Sequence, residues 1–209
     1  LPLDLDPQIM LQEKPRTIAT DKTWDAPVSG DWTDHVFTRV SATKVRFTGV
    51  DFRYSSFDAC YLRECAFDSC DFTGCRFSAT NFHRSTFIGC KFDYANFERT
   101  QIDHEVLDNC CPPHENLKAR FARTLRMNYQ SLGDAESVNK AMLVELAATA
   151  EHLYKSWNSN DRYYRMKYDG VKRVRAFFQW AKFRALDVVW GNGEKPVKLL
   201  YTTMVVLAL

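Results

Sequence analysis

The sequence lacks the usual carriers of chemistry. No nucleophile is set beside a base, no phosphate loop is present and no metal motif has useful spacing, which removes most enzyme classes. Net charge is nearly absent as well: 28 Lys and Arg against 26 Asp and Glu leave +2, so no global field would gather nucleic acid. No charged-then-apolar leader opens the chain and the seven cysteines are odd in number, which points to a reducing cytoplasmic setting. The first residue is Leu1 rather than Met and the last stretch, "LLYTTMVVLAL", is still apolar, so the 209 residues read as a fragment. What is abundant is core material, 45% hydrophobic and 14% aromatic, enough for one or two folded domains.

The aromatics are placed with a period of five. Phe47, Phe52, Phe57, Leu62, Phe67, Phe72, Phe77, Phe82, Phe87, Phe92, Phe97 and Ile102 form an unbroken series of large apolar residues. Two places before each stands a compact residue, among them Cys60, Cys65, Cys70, Cys75 and Cys90. Residues two apart in an extended segment share a side, so both registers face inward, and a period of five then requires a corner in every unit. A coil with four flat sides closes after 20 residues and stacks its turns at roughly 4.8 Å. Trp32, Phe37 and Leu107 are weaker matches that extend the series. The thiols are expected to fill the compact position as small hydrophobes. Cys70 and Cys90 fall one turn apart, with side chains too parallel for a disulfide.

Units such as "CDFTG", "TNFHR" and "ANFER" resemble the pentapeptide-repeat family over about residues 35 to 108. The resemblance implies a right-handed quadrilateral β-helix of three to four coils. Some members of that family protect or inhibit DNA gyrase with an acidic surface that imitates a duplex. Residues 37 to 108 hold nine Lys or Arg and ten Asp or Glu, too even a balance for that mimicry or for binding nucleic acid directly.

Pro112 and Pro113 in "NCCPPHEN" remove backbone donors and mark the end of the coil. His104, Cys110, Cys111 and His114 lie nearby, but adjacent cysteines suit a tetrahedral site poorly, and neither a metal nor a cofactor is expected. Helical spacing follows. Leu117, Phe121, Leu125 and Tyr129 form one stripe, Gly133 and Asp134 give a stop and a new N-cap, and Val138, Met142, Leu146, Leu153 and Trp157 form a second stripe. The two helices make a hairpin expected to cap the coil, with His152 a packing or surface residue.

A third segment is basic, amphipathic and aromatic. Lys172, Arg173, Arg175, Phe177, Phe178, Trp180, Lys182, Arg184 and Trp190 are the residues expected to meet a membrane surface. Between Arg162 and Lys198 there are ten Lys or Arg and three Asp or Glu. Pro196 then begins an apolar run whose 13 residues from Val197 fall short of the roughly 20 that span a bilayer, so it reads as the start of a transmembrane helix. "WGNGEKP" resembles the "GYGE-(K/R)-P" turn that follows pentapeptide repeats in certain bacterial two-pass potassium-channel-type membrane proteins. That resemblance implies a homotetramer. The expected organization is a lead-in or cap over 1–30, a β-helix over 31–111, a helical adaptor over 114–168, a juxtamembrane helix over 170–190 and a truncated membrane helix over 196–209. The expected function is a non-enzymatic regulatory domain on the cytoplasmic side of an inner (plasma) membrane protein, with lipid and a protein on the repeat face as partners. The alternative is a soluble protein–protein interaction module.

Overall fold

The structure, a computed structural model, describes residues 16–190 together with Thr203 and Met204. Short strands come first: β1 (Thr17–Thr20), β2 (Thr23–Trp24), β3 (His35–Thr38), β4 (Ser41–Thr43), β5 (Arg46–Thr48), β6 (Ser56–Asp58), β7 (Tyr61–Arg63), β8 (Ala66–Asp68), β9 (Arg76–Ser78), β10 (Thr86–Ile88) and β11 (Asn96–Glu98). Helices follow: α1 (Val106–Asn109), α2 (Glu115–Leu132), α3 (Ala135–Asn158), α4 (Arg162–Lys167) and α5 (Val171–Trp190). The strands coil into a four-sided column of parallel walls. One wall is the sheet β1-β3-β6-β9-β11, two others are β2-β4-β7 and β5-β8-β10, and the fourth is a file of single bridges from Asp31 through Asp51 and Asp71 to Lys91.

Each corner is made in the same way. From Asp34 to Arg99 every fifth residue has φ between 46° and 72°, the left-handed region, yet only Gly49, Gly74 and Gly89 in that series are glycine. An L-residue there costs about 1–2 kcal/mol. The conformation turns the corner N–H along the column, where it donates to the next turn: Tyr54 N–H to the Thr73 carbonyl at 2.9 Å, Ala59 to Ser78 at 2.9 Å, Glu64 to His83 at 3.1 Å. From Asp34 to Ala79 the bend therefore costs no backbone hydrogen bond, and at Arg84 the N–H donates to the Asp103 carboxylate instead.

Inside, the rings stack by turn and meet edge-on across the column. Phe37, Phe57, Phe77 and Phe97 lie 4.7, 5.1 and 5.0 Å apart between successive centroids, and Phe52, Phe72 and Phe92 lie 5.2 and 5.0 Å apart. Phe72 also meets Phe67 and Phe77 in T-shaped contacts at 5.7 Å, so both favoured aromatic geometries are used. Phe47, Phe67 and Phe87 stack in a third file at 4.6 and 4.9 Å, and Leu62, Phe82 and Ile102 fill the fourth and are buried.

The first turn is tighter than the rest. β1 pairs with β3 at an offset of 18 residues (Thr17 with His35), whereas β3 pairs with β6 at 20 (Val36 with Ser56). Residues 17–30 thus belong to the column rather than leading into it. The central residue of one early unit is Ala42, and the missing bulk is supplied by Trp24, which pairs with it and meets Phe37 and Phe47 at 5.4 Å. At the other end Leu107 keeps the inward register and is buried, but on helix α1 instead of a further strand.

Helix α2 closes that end. Phe121 continues the ring stack, 5.6 Å from Phe92. Asn128 substitutes for a strand: its Oδ1 accepts the Thr100 N–H at 2.8 Å and its Nδ2 donates to the Thr100 carbonyl at 2.7 Å. Gly133 at φ 74° ends α2, and Asp134 caps α3 by accepting the Ser137 N–H, as the sequence signals indicate. The buried face of α3 differs from the apolar stripe expected for it. Ser137, Ala141, Glu145 and Ala148 face inward, because small residues let the helices approach closely and Arg123 and Arg126 draw Glu145 in at 2.7 and 2.8 Å. Farther along α3, His152 sits between the hydroxyls of Tyr164 and Tyr168 at 3.1 and 3.3 Å.

The membrane placement requires correction. Among the described residues no helix is long and apolar enough to cross a membrane. α5 has the length but carries Lys172, Arg173, Arg175, Lys182, Arg184 and Asp187, a charge load no bilayer core accepts. The run over 196–209, expected to start a transmembrane helix, lies outside the described residues apart from Thr203 and Met204.

Two outcomes follow for stability. Asn128→Ala strands the Thr100 N–H and carbonyl in a buried site, so chemical denaturation is expected to show a loss of about 1–3 kcal/mol for each; an unchanged midpoint would remove the capping role. Burial, and next the positive charge of Lys167, hold His152 below its ordinary pKa, while Glu115 opposes them. Its folded pKa lies under the unfolded value, so its contribution is complete above about pH 6.5 and is lost as pH falls through the folded value. His152→Gln is expected to flatten that part of the stability–pH curve.

Candidate functional site

The column interior has no room for a ligand, and its reactive groups are occupied. The compact inner residues donate to the central carbonyl of the preceding turn: Ser85 Oγ to Leu62 at 2.7 Å, Thr80 Oγ1 to Phe57 at 3.1 Å, Cys75 Sγ to Phe52 at 2.9 Å and Cys60 Sγ to Phe37 at 3.4 Å. The thiols are more than small hydrophobes; they make the bond that Ser and Thr make at the same position. All seven cysteines are free. Burial pushes Cys60 up to about 11, and Cys90 is raised to about 12, first by its hydrogen bond with Cys110. Cys70, Cys90 and Cys110 form one file along an inner corner.

Among the described residues no three His, Cys, Asp or Glu side chains converge as a metal site would require. His104 instead contacts Lys140 Nζ and lies 3.4 Å from Ser137 Oγ. His114 becomes the N-cap of α2, and Cys110 turns into the core. One open cleft lies among the helices and another between the column and its helical cap. The first, about 510 Å³, is lined by Arg162, Arg165 and Arg173. The second, about 430 Å³, runs between His83, Asp103, Tyr129 and Asp134.

Exposed Tyr meets Arg at two places on the column, Tyr61 with Arg63 on β7 and a corner that also holds a glycine. Tyr54 and Tyr94 stand there two turns apart, 54% and 55% exposed, with Gly74 between them. A Cβ at Gly74 would come within 2.7 Å of the Tyr54 ring, so glycine leaves space for that ring to lie along the corner. The Arg120 guanidinium of α2 sits 5.4 Å from the Tyr94 ring. These tyrosines border the wall formed by β3, β6, β9 and β11, whose outward residues include the small Thr38, Ser56 and Ser78. The five-residue series singled out the rings inside and said nothing of this corner, although three glycines at the same step were a visible signal.

The basic segment is divided by its packing. Phe177 and Trp180 meet Trp157 of α3 at 5.2 and 5.3 Å, and Arg173 Nε donates to the Trp157 carbonyl at 2.6 Å. Lys172, Arg175, Phe178, Lys182 and Arg184 stay exposed, and Trp190 is the last residue of α5. The residues expected to share one surface therefore fall on two sides of the helix.

Thiol accessibility checks the interior. With an aromatic disulfide reagent near neutral pH, Cys111 is expected to react first and the six buried cysteines only after denaturation. Prompt loss of two or more thiols from the native chain would show that the column opens.

Comparison with known proteins agrees with the column. No curated protein matches the chain. Among solved structures, a trypsin-treated variant of QnrB1, described as a plasmid-mediated fluoroquinolone resistance protein, is similar over 43% of this chain and 55% of its own, with 16% identity and a TM-score of 0.13. The chain thus spans about half of that protein. The family model described as a pentapeptide repeat region matches residues 40–111, which is the part of the chain that forms most of the column.

Proposed function

We propose that the chain is a protein-interaction module whose repeat column presents a docking corner and has no catalytic role. The observation that supports this reading most is the filled interior. Phe37, Phe47, Phe72 and Phe77 have no exposed surface, and the inner thiols and hydroxyls are bonded to backbone carbonyls, so only outer surfaces remain for recognition. A stiff column loses little freedom on binding, which favours affinity from modest contact areas. Exposed Tyr beside Arg is the composition of binding hot spots, and Tyr54, Tyr94 and Arg120 supply it on one corner. The even charge of residues 37 to 108 does not support an acidic duplex mimic.

A photo-cross-linking amino acid placed at Tyr54 or Tyr94 in cells of the source organism tests the reading. The same discrete adduct is expected from both positions and not from Ile88, which is 63% exposed on another wall. Tyr94→Asp is expected to abolish the adduct formed from position 54. Equal labelling at all three positions, or none, would count against the docking corner.

A further inference from the structure

Helix α5 is only half used by the fold. Ala176 is 1% exposed, and Phe177 and Trp180 face Trp157. The opposite side carries Val171, Val174, Phe178, Ala181, Ala185 and Val188, spaced alternately by three and four residues. That is the a/d pattern of a coiled-coil seam over two and a half heptads. Val171 is 85% exposed, and Phe178 and Val188 are each 64% exposed. Ala181 and Ala185 lower the ridge at its middle, which lets a second helix approach closely.

The flanks of the seam decide what covers it. Arg175 and Lys182 border one side and Arg184 the other, the positions where charges choose a coiled-coil partner. All three are cationic, and only Arg184 has a nearby acid on the helix, Asp187 at 3.6 Å. A second copy of α5 would bring like charges together along the seam. An anionic lipid surface also answers positive charge, but the alternating three- and four-residue register from Val171 to Val188 is that of a helix pair, with the exposed Phe177 and Val189 widening the seam at its g and e positions. We therefore infer that the seam receives an amphipathic helix of a partner protein whose own flanks are acidic. The inference rests on the interaction-module reading and assigns it a second surface, separate from the Tyr54–Tyr94 corner.

The test uses the full chain and a fluorescein-labelled helical peptide about three heptads long, with Leu at a and d and Glu at e and g, so that like charges keep it monomeric. Fluorescence anisotropy is expected to show this peptide binding at least about tenfold tighter than the same peptide with Lys at e and g. Phe178→Asp is expected to weaken binding by about tenfold or more, and joint Arg175→Glu, Lys182→Glu and Arg184→Glu to reverse the peptide preference. These side chains are exposed, so circular dichroism and melting should be unchanged. Equal binding of the two peptides, or indifference to Phe178→Asp, overturns the inference. So does flotation with phosphatidylserine-containing vesicles that is lost with the same substitutions while the Glu peptide fails to bind. Cross-linking at Tyr54 and Tyr94 does not touch the seam, so failure here leaves the module reading standing, and the reverse also holds.

Discussion

The column depends on a bend that L-residues do not favour, made once every five residues. Eleven of the 14 corner positions from Asp34 to Arg99 carry a side chain in the left-handed region. Two things hold them there. From Asp34 to Ala79 the corner N–H donates to a carbonyl of the next turn, so straightening those corners would break a backbone bond on the column axis. The ring two residues earlier is locked between its neighbours above and below, as Phe57 is between Phe37 and Phe77. Neither restraint exists in a single unit, since both come from adjacent turns. Stability is therefore a property of stacking, and one isolated turn would have no reason to fold.

Such a stack has two ends, and the chain treats them differently. At the start the turn shortens to 18 residues and Trp24 drops into the space left by Ala42. A shorter turn and a larger residue close the mouth from within. At the far end no large residue inside the coil would suffice, because the last turn exposes backbone as well as rings. α2 answers both needs, with Phe121 over Phe92 and Asn128 paired to the backbone of Thr100. The amide of Asn128 presents an acceptor and a donor in the geometry of a peptide group, which is why a helix side chain can finish a strand edge.

The four-sided column, the inward rings and the helical hairpin were legible in the sequence because each follows from a period. Phe47 to Ile102 at every fifth residue fixes the walls, and Gly133-Asp134 fixes the break between α2 and α3. What was not legible depends on partners distant in sequence. Nothing near Asn128 marks it as a substitute strand. Trp24 replaces bulk missing 18 residues later, and Glu145 is buried only because Arg123 and Arg126 reach it across the hairpin. The corner was half visible: Gly49, Gly74 and Gly89 keep its step, but Tyr54, Ala59 and Glu64 between them hide it. The membrane-span expectation failed for a different reason: it rested on an apolar run over 196–209 that lies outside the described residues apart from Thr203 and Met204, while α5 before it is too charged to cross.

A surface generated by repetition offers the same contacts at every turn, and a partner that bound one turn would bind the next about as well. Recognition in one register therefore requires a break in the repeat. The column breaks its pattern at Gly74, where the missing side chain lets Tyr54 lie down the corner, and at Tyr94, where Arg120 of the cap ties the last turns to α2. The helices add a second break, because α5 has no counterpart among the described residues and its cationic flanks contrast with the evenly charged column. Regularity supplies rigidity, and the residues that depart from the five-residue rule are what distinguishes one turn of the column from the next.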